Sequence, residues 1–362
     1  MVSSIYIHIP FCSNICSYCA FTKQFYNEKL VESYLKSLKK EIINNYKGET
    51  IKTLYIGGGT PSSLKINELK ELFNILKIIK LAKEYEFTFE VNPENIDKEK
   101  LILLKENGVN RISMGVESTN LKLLNYLGRK HDFNLVKDKI KLIKELGFNN
   151  INVDLIYAIP NETIDDLKKD LDNIISLDVN HISTYSLMIE PHTILYINKE
   201  KNIDEDLDYE MYNLICNTLK ENGFNHYEIS NFSKFGYESH HNLVYWNNQE
   251  YYGFGLGASG YLYNIRYTNT NILDEYINNF KREEEILSLK DKLSYELILG
   301  FRKINGINKN DFYDKYKIDI HEVYNIKELL EKEYLEENNT NIYIKYDKIY
   351  IENSILINFI GE

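Results

Sequence analysis

The chain has 362 residues, 43% of them hydrophobic and 27% charged, and its formal net charge is −11. This length can bury a large core, in one big domain with a smaller one beside it. Nucleic acids and anionic membranes recruit basic faces, so the negative charge argues against both as partners. No apolar run is long enough to cross a bilayer, and the short stretch before Cys12 reads as a strand. We therefore expect a cytoplasmic protein without a signal peptide and without stable membrane insertion.

Strand and helix patterns alternate over the first 190 residues. Six runs are typical of strands, and helical spacing separates them: "SIYIHIP", "IKTLYIGGG", "EFTFEVNP", "VNRISMGVES", "NINVDLIYAIP" and "HISTYSLMIE". This alternation predicts a parallel sheet with helices outside it. Six units predict an α/β fold, an open or partial (β/α)6 barrel rather than a closed eight-stranded one. In such folds the loops that follow the strands carry the chemistry.

The alternation fades after residue 190. The chain becomes helical again near Leu287, and "NIYIKYDKIYIENSILINFI" then predicts two strands. Helices followed by a β-ribbon are typical of a winged-helix module, and the acidic balance favours a packing or partner role over DNA binding. We therefore divide the chain into a core of residues 1–190, a barrel extension of 191–280 and an α+β, winged-helix-like module of 281–362.

The stretch "HIPFCSNICSYCAF" holds three of the four cysteines, Cys12, Cys16 and Cys19. Thiolates are soft ligands that select zinc, Cu(I) or iron–sulfur clusters. A structural zinc site needs four ligands, and His8, inside a strand pattern, is the nearby candidate for the fourth. The C-x₃-C-x₂-C spacing better suits three corners of a [4Fe–4S] cluster, whose fourth iron stays open to a small molecule. Cys216 lies alone on a helical pattern, where we expect it to be packed.

The cysteine loop and the glycine-rich "YIGGGTP" one strand later resemble segments of the radical S-adenosylmethionine (SAM) superfamily. The resemblance implies that the amino and carboxylate groups of SAM chelate the open iron. It also implies that an electron from the cluster splits SAM into methionine and a 5′-deoxyadenosyl radical, with a reductant such as flavodoxin or ferredoxin. The segments "FEVNPE", "RISMGVES", "NVDLIYAIP", "IEPHT" and "LGFRKINGI" narrow the resemblance to oxygen-independent coproporphyrinogen III oxidases and their HemW-type relatives.

Two functions compete within this group. The oxidases usually have an N-terminal extension and a fourth cysteine just after the third, whereas Ala20 follows Cys19 here. The HemW type carries an HNxxYW motif, which is matched by "HNLVYW" at residues 241–246. The chain thus resembles the HemW-type haem chaperones, which implies that it binds haem and passes it to an acceptor protein, for example a respiratory enzyme. The alternative is a radical SAM oxidase that decarboxylates the propionates of coproporphyrinogen III, so whether the chain is an enzyme stays open.

The resemblance assigns roles to single residues around SAM. Tyr6 matches a tyrosine near SAM and the cluster. Gly58 and Glu90 match positions that contact the methionine part of SAM, and Arg129 matches a basic residue beside it. The positions that contact a second SAM in the oxidases are matched by Tyr18, Gly59, Thr60 and Asp154. Glu117 departs from the family, which often has glutamine there, and a carboxylate would repel a SAM carboxylate unless it is protonated.

The HNLVYW motif supplies the predicted haem-binding residues His241, Asn242, Tyr245 and Trp246. Imidazole is an ordinary axial ligand of haem iron, and flat aromatic rings suit a porphyrin face. The adjacent His240 stays an alternative ligand, while "GASG" replaces the family's more usual "GAHG" and removes another histidine. Structural interpretations stay open too: a core histidine at position 241, an ion pair of Glu90 with Arg129, and a turn cap at Asp154.

Overall fold

The computed structural model describes residues 2–323 and 325–360. The six predicted strands form a parallel sheet and pair in chain order. They are β1 (Ser4–Ile9), β2 (Ile51–Gly58), β3 (Leu81–Val91), β4 (Arg111–Glu117), β5 (Asn150–Tyr157) and β6 (His181–Ser186). The two edges of this sheet do not pair with each other, so the predicted α/β architecture of an open, partial barrel is confirmed.

Helices connect the barrel strands on the outside of the sheet. They are α1 (Glu28–Asn45), α2 (Ile66–Leu76), α3 (Lys98–Glu106), α4 (Leu121–Tyr126), α5 (Phe133–Glu145) and α6 (Ile164–Ser176). Their first turns are set locally: Asn27, Asp97 and Thr163, for example, each accept backbone N–H groups at the helix start. Single-turn 3₁₀ helices follow β2 and β3, at Pro61–Ser63 and Pro93–Asn95.

The two faces of β1 show how the sheet separates core from chemistry. Ile5, Ile7 and Ile9 are fully buried in one apolar cluster with residues of α1. Tyr6 and His8, which lie between them, instead line a cavity of about 370 Å³. Because side chains alternate along a strand, the apolar residues pack on helices and the polar ones face the barrel interior.

The sheet extends beyond the six predicted strands on both edges. Its further strands are β7 (Asn225–Glu228), β8 (Asn231–Ser233) and β9 (Tyr252–Phe254). The three-residue β9 pairs in parallel with β1, whereas β8 and β7 continue the sheet antiparallel beyond β6. None of the three was predicted, because runs this short have no periodicity of their own and depend on the edge that they cover.

The middle of the chain packs around these added strands. It contains the helices α7 (Ile194–Ile197), α8 (Glu205–Glu221), α9 (His240–Trp246) and α10 (Leu273–Asn278), and an antiparallel sheet of β10 (Ser259–Leu262), β11 (Ile265–Asn269) and β12 (Arg282–Ile286). The boundary placed after residue 280 falls between two paired strands, β11 and β12, and the division into three segments stays a prediction.

The C-terminal part combines helices with a small antiparallel sheet. Its elements are α11 (Leu289–Gly300), β13 (Ile307–Asn308), α12 (Lys309–Tyr316), a 3₁₀ turn (Ile320–Glu322), α13 (Ile326–Glu331), β14 (Leu335–Glu337), β15 (Asn341–Ile344), a 3₁₀ segment (Tyr346–Ile351), α14 (Glu352–Leu356) and a last 3₁₀ turn (Ile357–Phe359). The strands pair in the order β13–β15–β14. Among all described helices, none has the length and apolar content to span a bilayer.

The second of the two C-terminal strands predicted from the sequence is wrong. The stretch that follows β15 is helical rather than extended. Its isoleucines suggested a strand, but it packs on the two residues that follow α11. Phe359 stacks on Phe301 with ring centroids 5.5 Å apart, and Glu352 pairs with Arg302 at 2.7 Å. Strand propensity is a weak signal when a segment has a helix to pack against.

Candidate functional site

A cavity of about 400 Å³ opens at the carboxyl ends of the barrel strands. Its walls bring together nearly all of the predicted cluster and SAM residues: Cys12, Cys16, Tyr18, Cys19, Gly58, Gly59, Thr60, Glu90, Glu117, Arg129 and Asp154. Tyr6 is the exception, because it lines the neighbouring cavity of about 370 Å³. Ala20 and Phe21, at the end of the cysteine loop, contribute to both cavities. The loop therefore separates two adjacent spaces at the mouth of the barrel.

The cysteine loop is pinned at both ends. The short extended segments Phe11–Cys12 and Gln24–Phe25 pair in parallel and close its base. Further along, Asn14 Nδ2 donates to the Gly128 carbonyl at 2.6 Å, and the Ser17 N–H donates to the Leu127 carbonyl at 3.0 Å. Gly128 has φ +76°, which favours glycine. Asn14, Ser17 and Gly128 hold the loop in place. Sequence reasoning missed them, because their contacts join segments more than a hundred residues apart.

Polar donors point at two of the three thiols. Thr60 Oγ1 lies 3.6 Å from Cys12 Sγ, and Arg129 Nη1 lies 3.7 Å from Cys16 Sγ. Burial raises the pKa of the Cys12 thiol to about 11 and also raises the pKa of Cys19. Thiolates are the ligating form, so binding of iron must displace these protons. Three soft donors around one cavity, with a hydroxyl and a guanidinium beside them, fit the chemistry of an iron–sulfur cluster.

His8 does not serve as a fourth zinc ligand. Its Nδ1 lies 2.9 Å from the Tyr6 hydroxyl, and its Nε2 lies 2.7 Å from the Thr22 carbonyl oxygen. Both ring nitrogens are thus engaged, and burial lowers the pKa of the imidazole to about 4. Within the described part of the chain, no three Cys, His, Asp or Glu side chains converge on one metal-ion position. A cubane cluster is larger than a single ion, so its thiolates stand further apart than the ligands of one zinc ion do.

Gly58, at the end of β2, and Gly59, which follows it, allow two loops to approach each other. A Cβ on Gly59 would lie 2.6 Å from the Pro10 backbone and 2.9 Å from Cys12 Sγ. Gly58 has φ +118°, and a Cβ there would meet the His8 ring at 2.6 Å. From the sequence, we expected these glycines to let a ligand approach the backbone. The structure shows that they also leave space for other residues of the protein, namely His8, Pro10 and Cys12. The Gly58 N–H donates to Glu90 Oε2 at 3.0 Å and so holds that carboxylate at the cavity.

The cavity is acidic around a buried guanidinium. Burial raises the pKa of Glu90 and of Glu117 to about 7 each, and it also raises the pKa of Asp154. Arg129 Nη2 donates to the Gly115 carbonyl at 2.5 Å, and Nη1 lies 4.0 Å from Glu117 Oε1. The predicted ion pair of Arg129 with Glu90 is replaced by this pair with Glu117. Carboxylates suit the sulfonium and ammonium charges of SAM, and a guanidinium suits its carboxylate.

The histidine of the HNLVYW motif lies in the barrel core. His241 is 1% exposed, its Nδ1 lies 2.9 Å from Thr53 Oγ1, and its Nε2 lies 2.7 Å from the Tyr245 hydroxyl. Its ring also packs 5.1 Å from the Tyr55 ring, and burial lowers its pKa to about 3. A haem iron would have to break one of these hydrogen bonds to reach a ring nitrogen. The geometry therefore favours the structural interpretation of His241 over the predicted role as a haem ligand.

The other motif residues point to different surroundings. Tyr245 lines the 370 Å³ cavity with Tyr6 and Ser259, the serine of "GASG". The Trp246 ring lies 5.8 Å from the Arg302 guanidinium. The Asn242 N–H donates to Ser239 Oγ, which caps the start of α9. The structure therefore does not gather His241, Asn242, Tyr245 and Trp246 at one exposed surface.

We expect an Arg129→Lys variant to bind SAM about tenfold more weakly or worse while keeping its fold. Lysine keeps the charge, but a single ammonium cannot serve Asn92, Gly115 and Cys16 together as the guanidinium does. Calorimetric titration of SAM into the anaerobically reconstituted protein measures the loss. The matched control is Lys130→Ala at the exposed next position, which should bind like the parent. Equal SAM affinity in the Arg129 variant and the parent would remove Arg129 from the site.

Comparison with known proteins shows which family the chain belongs to. The model of the radical SAM superfamily matches residues 6–174. The chain is 38% identical to a protein of Lactococcus lactis subsp. lactis described as heme chaperone HemW, over 99% of this chain and 97% of the relative. It is 36% identical to the heme chaperone HemW of Bacillus subtilis over the full length of both. Among solved structures, coproporphyrinogen III oxidase (HemN) from Escherichia coli matches with a TM-score of 0.86, covering 99% of this chain and 90% of that one.

These matches have different weight. The HemN structure is only 20% identical in sequence, so it supports the fold and not the activity. The two HemW relatives exceed 30% identity across nearly their whole length, and the predicted family is confirmed. The chain belongs to the HemW family of the radical SAM superfamily.

Proposed function

We propose that this protein is a haem chaperone, which binds haem, carries a [4Fe–4S] cluster with SAM and delivers haem to an acceptor protein in the cytoplasm. The observation that carries the proposal is the similarity to heme chaperones HemW over the full length of the chain, at 38% and 36% identity. The acceptor is proposed to be a haem-requiring protein such as a respiratory enzyme, and the reductant a flavodoxin or ferredoxin.

Three loops supply the residues that would hold the cluster and SAM. Cys12, Cys16 and Cys19 offer the three thiolates, and the cluster, when bound, supplies the electron for reductive cleavage of SAM. Glu90, held by the Gly58 N–H, would accept hydrogen bonds from the amino group of SAM. Arg129, 6% exposed, would pair its guanidinium with the carboxylate of SAM.

A second SAM has weaker support. Tyr18, Gly59, Thr60 and Asp154 line the same cavity, but so does Glu117. Glu117 stands in the left-handed region with φ +64° and has a pKa of about 7. Its carboxyl is partly protonated at neutral pH, so its repulsion of a second SAM carboxylate grows as the pH rises. We therefore propose one SAM per chain at pH 8.

One pair of assays tests the chaperone function. The full-length protein is reconstituted anaerobically and titrated with haemin, and a saturable Soret band with a one-to-one endpoint is expected. The same preparation is incubated with SAM, dithionite and coproporphyrinogen III, and no vinyl product is expected. Absence of haemin binding contradicts the proposal, and formation of vinyl products would replace it with the oxidase alternative.

A further inference from the structure

A groove of about 370 Å³ lies at the end of the barrel opposite the cysteine loop. It is formed by Tyr85 and Glu86 in the middle of β3, by residues at the amino ends of β4 and β5, and by the segment 236–240 that leads into α9. The SAM cavity lies at the carboxyl ends of the same strands. The groove is therefore a separate surface, reached from the other side of the barrel.

His240 lines this groove, and its imidazole is exposed. Among the described histidines, His8, His131, His181, His226, His241 and His321 each use at least one ring nitrogen in a hydrogen bond. His192, the other histidine for which the described residues provide no such bond, lines none of the three cavities described above. His240 thus combines an available imidazole with a groove beside it.

The backbone of His240 is held by a buried carboxylate. Glu86 is 6% exposed and accepts the N–H of His240 at 3.0 Å and the N–H of His241 at 2.9 Å. The same carboxylate therefore fixes the start of α9, while the His241 side chain turns into the barrel core and the His240 side chain lines the groove. Adjacent histidines serve two purposes, one structural and one open to a ligand.

Aromatic side chains, one cation and the half-buried carboxylate of Glu238 line the rest of the groove. Tyr85 and Tyr237 are half-buried along its wall, and Phe148 lies beneath Lys105, whose ammonium is 5.1 Å from the ring centre. Lys105 Nζ reaches the Leu146 carbonyl oxygen at 2.7 Å, and Gly147 leaves the space for it, because a Cβ there would lie 2.6 Å from Nζ. An imidazole, aromatic walls and a cation together match the iron, the macrocycle and a propionate of haem.

We propose that this groove is the haem site and that His240, rather than His241, is the axial ligand of the iron. The inference rests on the proposed haem binding and gives it a location. An open groove holds one edge of the porphyrin and leaves the other accessible, which suits a cargo that has to be handed to an acceptor. It also places haem and the cluster at opposite ends of the barrel.

Haemin titration of four full-length proteins tests the site: the parent, His240→Ala, His241→Ala and His192→Ala. In His240→Ala we expect a shifted Soret maximum and a Kd for haemin about tenfold higher or more, with the parent spectrum restored by added imidazole. His192→Ala is the matched exposed control and should bind like the parent. His241→Ala should melt at a lower temperature, since two core hydrogen bonds are lost, yet show the parent Soret maximum in its folded fraction.

The outcomes separate this inference from the proposed function. Parent-like affinity and Soret maximum in His240→Ala, or loss of axial ligation in a folded His241→Ala variant, would overturn the groove assignment while haem binding itself stands. A parent protein that does not bind haemin contradicts the proposed function as well. Lys105→Ala gives a second readout: we expect weaker haemin binding with an unchanged Soret maximum, because the cation is placed to meet a propionate and not the iron.

Discussion

A Cys16→Ser variant is expected to contain almost no cluster and to cleave no SAM, while it folds as the parent does. Serine replaces a soft thiolate with a hydroxyl that binds iron poorly. The loop keeps its position without the sulfur, because Asn14 and Ser17 anchor it to the 127–128 turn. Iron and sulfide analysis after anaerobic reconstitution measures the loss, and a thermal melt checks the fold. Haemin binding should persist, because the haem groove lies at the other end of the barrel.

Cys216→Ser is the matched control for this experiment. Cys216 is 6% exposed on α8 and packs in the main apolar cluster, away from the cysteine loop. The variant should bind a full complement of iron and lose some stability, since a hydroxyl replaces a packed thiol. Iron retained at the parent level in Cys16→Ser would show that Cys16 is not a ligand. Iron lost equally from both variants would point to a general folding defect.

A Glu162→Gln variant is expected to be more stable than the parent at pH 9 by about 2–4 kcal/mol and equally stable near pH 4.5. Glu162 is 3% exposed; its Oε2 accepts the Ile159 N–H at 3.0 Å, and its Oε1 is buried without a hydrogen-bond partner among the described residues. Burial raises its pKa from an ordinary 4.5 to about 8. Glutamine occupies the same space as the neutral acid and carries no charge that has to be buried.

The direction of this pH dependence follows from proton linkage. Between pH 4.5 and about 8 the folded protein keeps the Glu162 proton that the unfolded chain has released, so the free energy of unfolding falls as the pH rises. The variant has no titrating group at this position. Its free energy of unfolding should therefore fall with pH less steeply than that of the parent, and the two slopes should differ by up to about 1.4 kcal/mol per pH unit. Urea denaturation of the metal-free proteins at pH 5, 7 and 9 measures the difference. The control Glu106→Gln, at an exposed position, should have the same free energy of unfolding as the parent at each pH. If the Glu162 variant also matches the parent at each pH, the pKa of Glu162 is not raised by burial.

Local signals explain which parts of the fold were predictable. The start of α6 follows from a capping box in which Thr163 and Asp166 exchange hydrogen bonds, and no distant contact is needed to find it. The strand β9 gives no such signal, since three residues acquire an extended conformation only by covering the edge of β1. The helical end of the chain was mistaken for a strand because its partner, Phe301, is far away in sequence.

The candidate site, too, was predictable where local motifs mark its residues and not where distant contacts do. The cluster and SAM residues were assigned through the resemblance of their motifs to the radical SAM superfamily. Most of them lie near the carboxyl ends of parallel strands, which meet at one edge of the sheet. Asn92, which donates to Thr60 and accepts from Arg129, was missed because nothing local marks it as a link between two loops. The sequence alone does not distinguish the adjacent His240 and His241. Only the course of α9 shows that one enters the core and the other faces the groove.

The pairing of β9 with β1 has a consequence for synthesis on the ribosome. The cysteine loop follows β1, which is made before the other strands of its sheet, but one side of β1 stays uncovered until residues 252–254 are made. Contacts this distant in sequence form late and slowly, and an exposed strand edge meanwhile invites pairing with other chains. Insertion of the cluster into a nascent chain would thus take place on an unfinished barrel. We therefore expect the cluster to be inserted after translation has passed Phe254, when both sides of β1 can be covered.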